Sequence, residues 1–309
     1  MNRPGEHIVG DRVAGRFELL ARLGSGGMGT VWRARDLLLE REVALKEMRS
    51  SVADDPGRAY RVREQVRREA RALARITHPN VVTIHEVLDQ QPYPWLVMEL
   101  ITGQSLRELL DRGRLTPTRA ARIGLDVLGG LDAAHAAGVL HRDVKPGNVL
   151  IRPEGSAVLT DFGIATVQGA ETLTAPGDIL GSPEYMAPER IRGAAVGPAS
   201  DLWSLGMLLY VCVEDANPVL GDSVWETLRA VCEDPVPPPR RAGPLGAVIE
   251  ALLAREPEQR PSAGRLAALL GAVVGGETET VVLPPRPRPV ETRTLVAPAL
   301  PAAPAAPAP

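Results

Sequence analysis

Two residues stand out by type. The chain carries 35 basic side chains, yet only Lys46 and Lys145 are lysine and every other one is arginine. An ammonium is a compact point charge on a flexible stem, while a guanidinium is a wide planar fork. A site that needs one small cation against a phosphate oxygen does not readily take the fork. Lys46 lies in "VALK" and Lys145 in "HRDVKPGN". Upstream, "GSGGMG" at 24–29 places Gly24, Gly26 and Gly29 as a G-x-G-x-x-G, a loop whose bare backbone N–H groups can face an anion. The same spacing opens dinucleotide-binding folds, where a helix follows the glycines directly. Here the β-branched and aromatic "TVWRARD" follows, so the loop joins two strands and would lie over a phosphate tail. It also lacks the Gly-Lys-Ser/Thr ending of a P-loop.

Groups of this kind need a scaffold. "RFELLARLG", "GTVWRARD" and "REVALKEM" read as short strands separated by Gly-rich or charged turns. A helical spacing follows, with Val62, Val66, Ala70, Leu73 and Ile76 on one face and Arg61, Arg63, Arg67, Arg68, Arg71 and Arg75 opposite. "NVVTIHEVL" and "PWLVMEL" return to strand character. From about Gly103 the texture turns helical, beginning with "SLRELLDRG" and then a Thr-Pro helix start at "TPTRA". Further helical patterns lie at "ASDLWSLGMLLYVCVE", "SVWETLRAVCE", "PLGAVIEALLAR" and "SAGRLAALLGAVV". The expectation is an α+β chain of two lobes. It comprises an N-terminal extension (1–15), a small β-rich lobe with one main helix (16–102), a larger helical lobe (103–272) and a Pro/Ala-rich tail (273–309). The tail has no amphipathic period, so it is expected to be disordered or polyproline-like.

Bulk properties set outer limits. A length of 309 residues suits about two structural units. With two Phe, four Trp and four Tyr, the core must be built from Leu, Val, Ile and Ala. A net charge of −3 argues against a general nucleic-acid binder. Cys212 and Cys232 make no disulfide framework or zinc cluster, which points to a reducing, cytoplasmic setting. No signal-peptide core opens the chain, and its longest apolar run, about a dozen residues, falls short of the roughly 20 that span a bilayer. Attachment to a membrane would require a longer chain.

In the order "GSGGMGTV", "VALK", "HRDVKPGN", "DFG" and "APE", over roughly 15–272, the chain resembles the bacterial eukaryotic-type (Hanks-type, PknB-like) serine/threonine protein kinases. The resemblance implies a bilobal kinase fold that uses ATP with Mg²⁺ (or Mn²⁺). It assigns Gly24, Ser25, Gly26, Gly27 and Gly29 to the phosphate loop. Lys46 is implied to bind the α- and β-phosphates and to pair with Glu69, with Glu64 the poorer candidate by its spacing to "HPN". Asp143 is implied to take or orient the proton of the attacking hydroxyl, and Lys145 to neutralise the transferring group. Asn148 and Asp161 are implied to hold the metal. The adenine is implied to lie among Val31, Ala44, Leu150 and Met98, with backbone groups of Glu99 and Ile101 at its edge. Lysine two residues after Asp143 resembles Ser/Thr-directed rather than Tyr-directed members.

The resemblance also implies regulation. Arg142, before Asp143, fits an activation segment (161–189) ordered by autophosphorylation, with Thr172 and Thr174 favoured over Thr166 and Ser182. Glu189 is implied to pair with Arg260, and Asp201 to bond the catalytic-loop backbone. Expected partners are protein substrates bearing Ser or Thr, a phosphothreonine-binding domain reading the activation segment or Thr278 and Thr280, and a second copy for autophosphorylation. Two departures appear: Ser182 stands where the family usually has threonine, and "DANPVLGDS" lacks the usual aromatic anchor. Alternative readings are a scaffold of the same fold without transfer and a small-molecule kinase. The intact "APE" segment speaks against the second, and the complete set of phosphate and metal ligands against the first. An oxidoreductase would rest on the glycines alone.

Overall fold

A computed structural model describes residues 7–26, 29–48, 56–90, 94–163 and 182–276. The small lobe is a six-stranded antiparallel sheet in the order β1-β2-β3-β4-β6-β5. Its strands are β1 (Arg12–Val13), β2 (Phe17–Gly26), β3 (Gly29–Asp36), β4 (Arg41–Met48), β5 (Ile84–Leu88) and β6 (Trp95–Met98). Side chains alternate between the faces of a strand, and here the alternation divides two cores. Val43, Leu45, Trp95 and Val97 enter an outer cluster with Phe17, Leu19 and Trp32. Their neighbours Ala44, Met48, Leu96 and Met98 join the main core, which continues into the large lobe. Lys46 shares the parity of Ala44 and Met48, so β4 aims it at the cleft.

Helix α1 (Pro56–Leu73) packs on that inner face through Val66, Ala70 and Leu73, all nearly fully buried. The lobes are stitched behind it. Val81 bridges Leu159 in parallel, Leu159 donates to the carbonyl of Asn80, and the Asn80 amide donates to Ala157 O at 2.7 Å. Gly130 is needed at this seam, because a Cβ there would lie 2.7 Å from that same Asn80 carbonyl.

The large lobe is helical. Its elements are α2 (Leu106–Leu110), α3 (Pro117–Ala136), α4 (Pro188–Ile191), α5 (Pro198–Glu214), α6 (Val224–Glu233), α7 (Leu245–Leu252) and α8 (Ala263–Gly275). Helix α2 starts with a capping box in which Ser105 and Glu108 satisfy each other's backbone N–H groups. Thr116 caps α3 and Pro117 occupies its first turn, the start that "TPTRA" signals. Helix α5 is buried almost all round and forms the axis of the lobe. A small sheet, β7 (Gln104–Ser105), β8 (Val149–Ile151) and β9 (Ala157–Leu159), lies under the cleft. Strand β1 belongs to the main sheet although it falls in the expected N-terminal extension. Among the described residues, no helix is long and apolar enough to cross a membrane.

Candidate active site

The cleft between the lobes gathers the groups that the sequence singles out. The loop His141–Asn148 runs from α3 to β8 and is held from below by Asp201 on α5. One Asp201 oxygen accepts from His141 N (2.9 Å) and the other from Arg142 N (2.8 Å). His135 Nε2, on α3, lies 2.8 Å from Asp201 Oδ2. Burial pushes the Asp201 carboxyl up, but the His135 hydrogen bond, the nearby imidazoles and the His141 N–H hold it below its ordinary range. It therefore stays an acceptor. Arg142 adopts a left-handed φ of 65°, and the Arg190 guanidinium donates to its carbonyl.

His141 is fully buried, and burial depresses its pKa. Its Nε2 lies 3.0 Å from Thr160 O, and its Nδ1 accepts from Asp143 N. A carbonyl only accepts, so the ring is neutral with its proton on Nε2. The imidazole works as a strut between the Asp143 loop and the segment that leads to Asp161.

Asp143 is held through one oxygen. Lys145 Nζ lies 2.7 Å from its Oδ2, and the Asn148 amide donates to the same oxygen and to the Asp143 carbonyl, each at 2.8 Å. Oδ1 has no protein partner among the described residues, so one oxygen of a positioned carboxylate is left able to accept a hydrogen bond. Because its Nδ2 is engaged, Asn148 keeps Oδ1 free. Across the cleft, Asp161 has a φ of 56°, and its Oδ1 takes Lys46 Nζ at 2.9 Å, leaving Oδ2 open. Burial pushes the Asp161 carboxyl up, but Lys46 and, to a smaller degree, His141 and Lys145 bring it below the usual carboxylate range. One ionised carboxylate oxygen and one amide oxygen suit Mg²⁺, a hard cation that takes few protein ligands and fills its shell with phosphate and water oxygens.

The apolar part of the cleft is equally ordered. The register sets Val31 against Lys46 and Ala44 against Met98, while Leu150 rises from β8 below. Glu99 N donates to Thr83 O at 2.9 Å and its carboxylate takes Arg152 at 2.8 Å. The Glu99 carbonyl and the Ile101 N–H remain without backbone partners among the described residues, so both can serve the edge of a flat heterocycle. Gly24, Ser25 and Gly26 end β2 and Gly29, with a φ of 131°, opens β3. Gly27 lies outside the described residues, as do Thr166, Thr172 and Thr174.

One expected pairing is replaced. Lys46 meets Asp161, and Glu69 lies 3.6 Å from Arg142. The reason is local: a buried ammonium requires a close carboxylate, and the left-handed turn at Asp161 delivers one. Helix α1 meanwhile directs Glu69 at the catalytic loop. Behind the site, Arg260 grips Glu189 through two hydrogen bonds of 2.7 and 2.8 Å, and Ser200 Oγ donates to the same carboxylate. Sequence reasoning missed His135. Its one signal is a single imidazole in the alanine-rich "DAAHAAG".

Comparison with known proteins closes the identification. The protein kinase domain family matches residues 17–269. The chain belongs to that family. It is 38% identical over 288 residues to the serine/threonine-protein kinase PknA of Mycobacterium tuberculosis, covering 90% of this chain and 65% of PknA. It is 37% identical over 278 residues to PknB of the same species, covering 86% of this chain and 44% of PknB. The kinase chain thus spans less than two thirds of these relatives' own lengths. With such relatives it falls in the bacterial Hanks-type branch.

Proposed function

We propose that the chain is an ATP-dependent serine/threonine protein kinase. The observation that carries this reading is Asp143, fixed through Oδ2 by Lys145 and Asn148 with Oδ1 left open, opposite the Lys46–Asp161 pair. In the reaction, the bond from the γ-phosphorus to its bridging oxygen breaks and a bond from a substrate Ser or Thr Oγ to phosphorus forms. The hydroxyl proton passes to Asp143 Oδ1. Lys145 neutralises charge on the group in flight, and Lys46 holds the phosphates that stay behind. Mg²⁺ or Mn²⁺, held by Asp161 and Asn148, supplies further charge neutralisation when bound. Such a reaction asks for positioning and electrostatics more than covalent chemistry.

The position of Arg142 supports a regulatory reading. Its guanidinium faces Glu69, and a phosphate on Thr172 or Thr174 would compete for it as a stronger acceptor. With Arg142 drawn to the phosphate, Glu69 would turn to Lys46, and Asp161 would turn toward the metal. Phosphorylation in this scheme acts by exchanging ion-pair partners. Protein substrates, a second copy acting in trans and a phosphothreonine-binding domain are the partners this reading proposes.

The test is transfer of labelled γ-phosphate to a protein substrate, with Asp143→Asn as the control. Transfer by the wild type and a loss of about 10²–10⁴-fold in the variant are expected for a positioned general base. A wild type that transfers nothing with either Mg²⁺ or Mn²⁺ overturns the proposal. For the regulatory part, the double variant Thr172→Ala/Thr174→Ala is expected to lose activation on preincubation with ATP. Phosphopeptide mapping of active enzyme that finds the activation segment unmodified overturns it.

A further inference from the structure

Behind the catalytic loop, a cavity of about 330 Å³ opens between α3, the start of α5 and the turn into α8. Leu128, Leu202 and Ala263 contribute to its apolar wall, and Asp132, His135 and Arg260 are its charged or titratable groups. The chemistry of those three groups decides what it accepts.

Arg260 has no donor to offer. Its Nε bonds Ala254 O, its Nη1 bonds Glu189 and Ala199 O, and its Nη2 bonds Glu189 and Arg255 O. An anion would meet a cation whose N–H groups are all engaged. In the neutral His135 ring, the Asp201 carboxylate fixes the proton on Nε2 and leaves Nδ1 a lone pair. Nδ1 makes no hydrogen bond to a described residue. Asp132, three residues earlier on the same helix face, is exposed and has no ion-pair or hydrogen-bond partner among the described residues. The cavity thus offers a carboxylate, an imidazole lone pair and hydrocarbon, in a volume at the low end for small-molecule sites.

We propose that this cavity binds a small organic cation, an amine or amidine with an apolar body, and that the occupant acts on the catalytic loop. The N–H groups of the cation donate to Asp132 and His135 Nδ1, and its hydrocarbon covers Leu128 and Leu202. A donor on Nδ1 locks the ring proton on Nε2, toward Asp201, which carries the His141 and Arg142 N–H groups. The other wall, Arg260, holds Glu189. Both tethers of the active site therefore pass through side chains that line one cavity. Binding is independent of the phosphoryl-transfer reading, whereas the coupling rests on it.

Benzamidine and 2-phenylethylamine serve as probes, with benzyl alcohol and benzoate as neutral and anionic controls. Calorimetric titration of the full chain without nucleotide is expected to show the cations binding at least about fivefold tighter than the alcohol, and benzoate not binding, as charge-assisted hydrogen bonds require. Asp132→Asn is expected to weaken the cations about fivefold and to leave basal transfer unchanged. Ala263→Phe, at the half-buried first residue of α8, is expected to fill the mouth and abolish binding. Saturating benzamidine should change kcat in the wild type and not in Ala263→Phe. Equal binding of cation and alcohol, or cation binding undiminished in both variants, overturns the site. Binding intact with kcat unmoved overturns the coupling. If the wild type transfers no phosphate at all, the calorimetry still decides the site.

Discussion

The catalytic loop and helix α1 face each other across the cleft and are held in opposite ways. The loop is fixed by buried or partly buried hydrogen bonds: Asp201 to two consecutive N–H groups, His141 to Thr160, Asn148 to Asp143. Every one of these bonds lies at 3.0 Å or less. Helix α1 is held by an apolar stripe that fixes its face, and by long ion pairs between partly exposed groups, among them Glu69 with Arg142 at 3.6 Å and Arg67 with Asp89 at 3.4 Å. Buried, mutually satisfied networks are costly to rearrange, while partly exposed pairs exchange partners at small cost. The proposed chemistry sits on the first kind of support and the proposed regulation on the second.

Breaking the fixed side should have the largest effect. Asp201→Ala leaves two backbone N–H groups and His135 without their acceptor inside the lobe, and removing one member of such a buried network typically costs ~3–5 kcal/mol. The expected result is a large fall in urea midpoint together with lost transfer. A variant that unfolds at the wild-type midpoint would show that the loop is not hung from α5. Next come the two lysines. Lys46→Arg and Lys145→Arg keep the charge but replace a point donor by a fork, and each is expected to lower kcat by roughly 10²-fold, the loss typical of one electrostatic donor. Near-wild-type rates in both would make the scarcity of lysine accidental. On the adjustable side the expectation is milder: Arg142→Ala removes the guanidinium that faces Glu69, and should make the rate indifferent to activation-segment phosphorylation, seen as equal rates before and after phosphatase treatment.

This contrast also marks what sequence alone could reach. The period-2 alternation of "VALKEM" shows that Lys46 shares a face with Ala44 and Met48, and the stripe Val66–Ala70–Leu73 shows which side of α1 is buried. Thr116-Pro117 announces α3. Strands β7, β8 and β9 are two or three residues long, too short for any alternation to register, and form by pairing with one another, with Val81 bridging Leu159 at the edge. Asp143, Lys145, Asn148 and Asp161 stand out in the sequence by type and spacing, and the fold brings them to one cleft. The partner of Glu69 was not legible, since it depends on where a whole helix sits relative to Lys46, Asp161 and Arg142. His135 escaped for a similar reason: its meaning lies in Asp201, 66 residues away.

A last prediction asks whether the adjustable part is α1 alone or the whole small lobe. At the end of β3, Asp36 is fully buried and takes a two-pronged grip from Arg16 at 2.8 and 2.7 Å, along with the Leu38 and Leu39 N–H groups. The Arg16 hydrogen bonds outweigh burial and lower its pKa from 3.8 to about 2. The sign follows from linkage. The unfolded chain takes up a proton near 3.8 that the folded chain refuses until about 2, so the contribution of Asp36 is full above pH 3.8 and is lost as pH falls through about 2. If the sheet is as fixed as the catalytic loop, the urea midpoint of the wild type should exceed that of Asp36→Asn at pH 6, and the gap should close only in that acid window. The effect should be smaller than that of Asp201→Ala, because Arg16 remains partly exposed and solvent screens the pair. A gap that is absent at pH 6, or constant down to pH 2, would mean that the grip on Asp36 is loose and that the sheet is held less firmly than the catalytic loop.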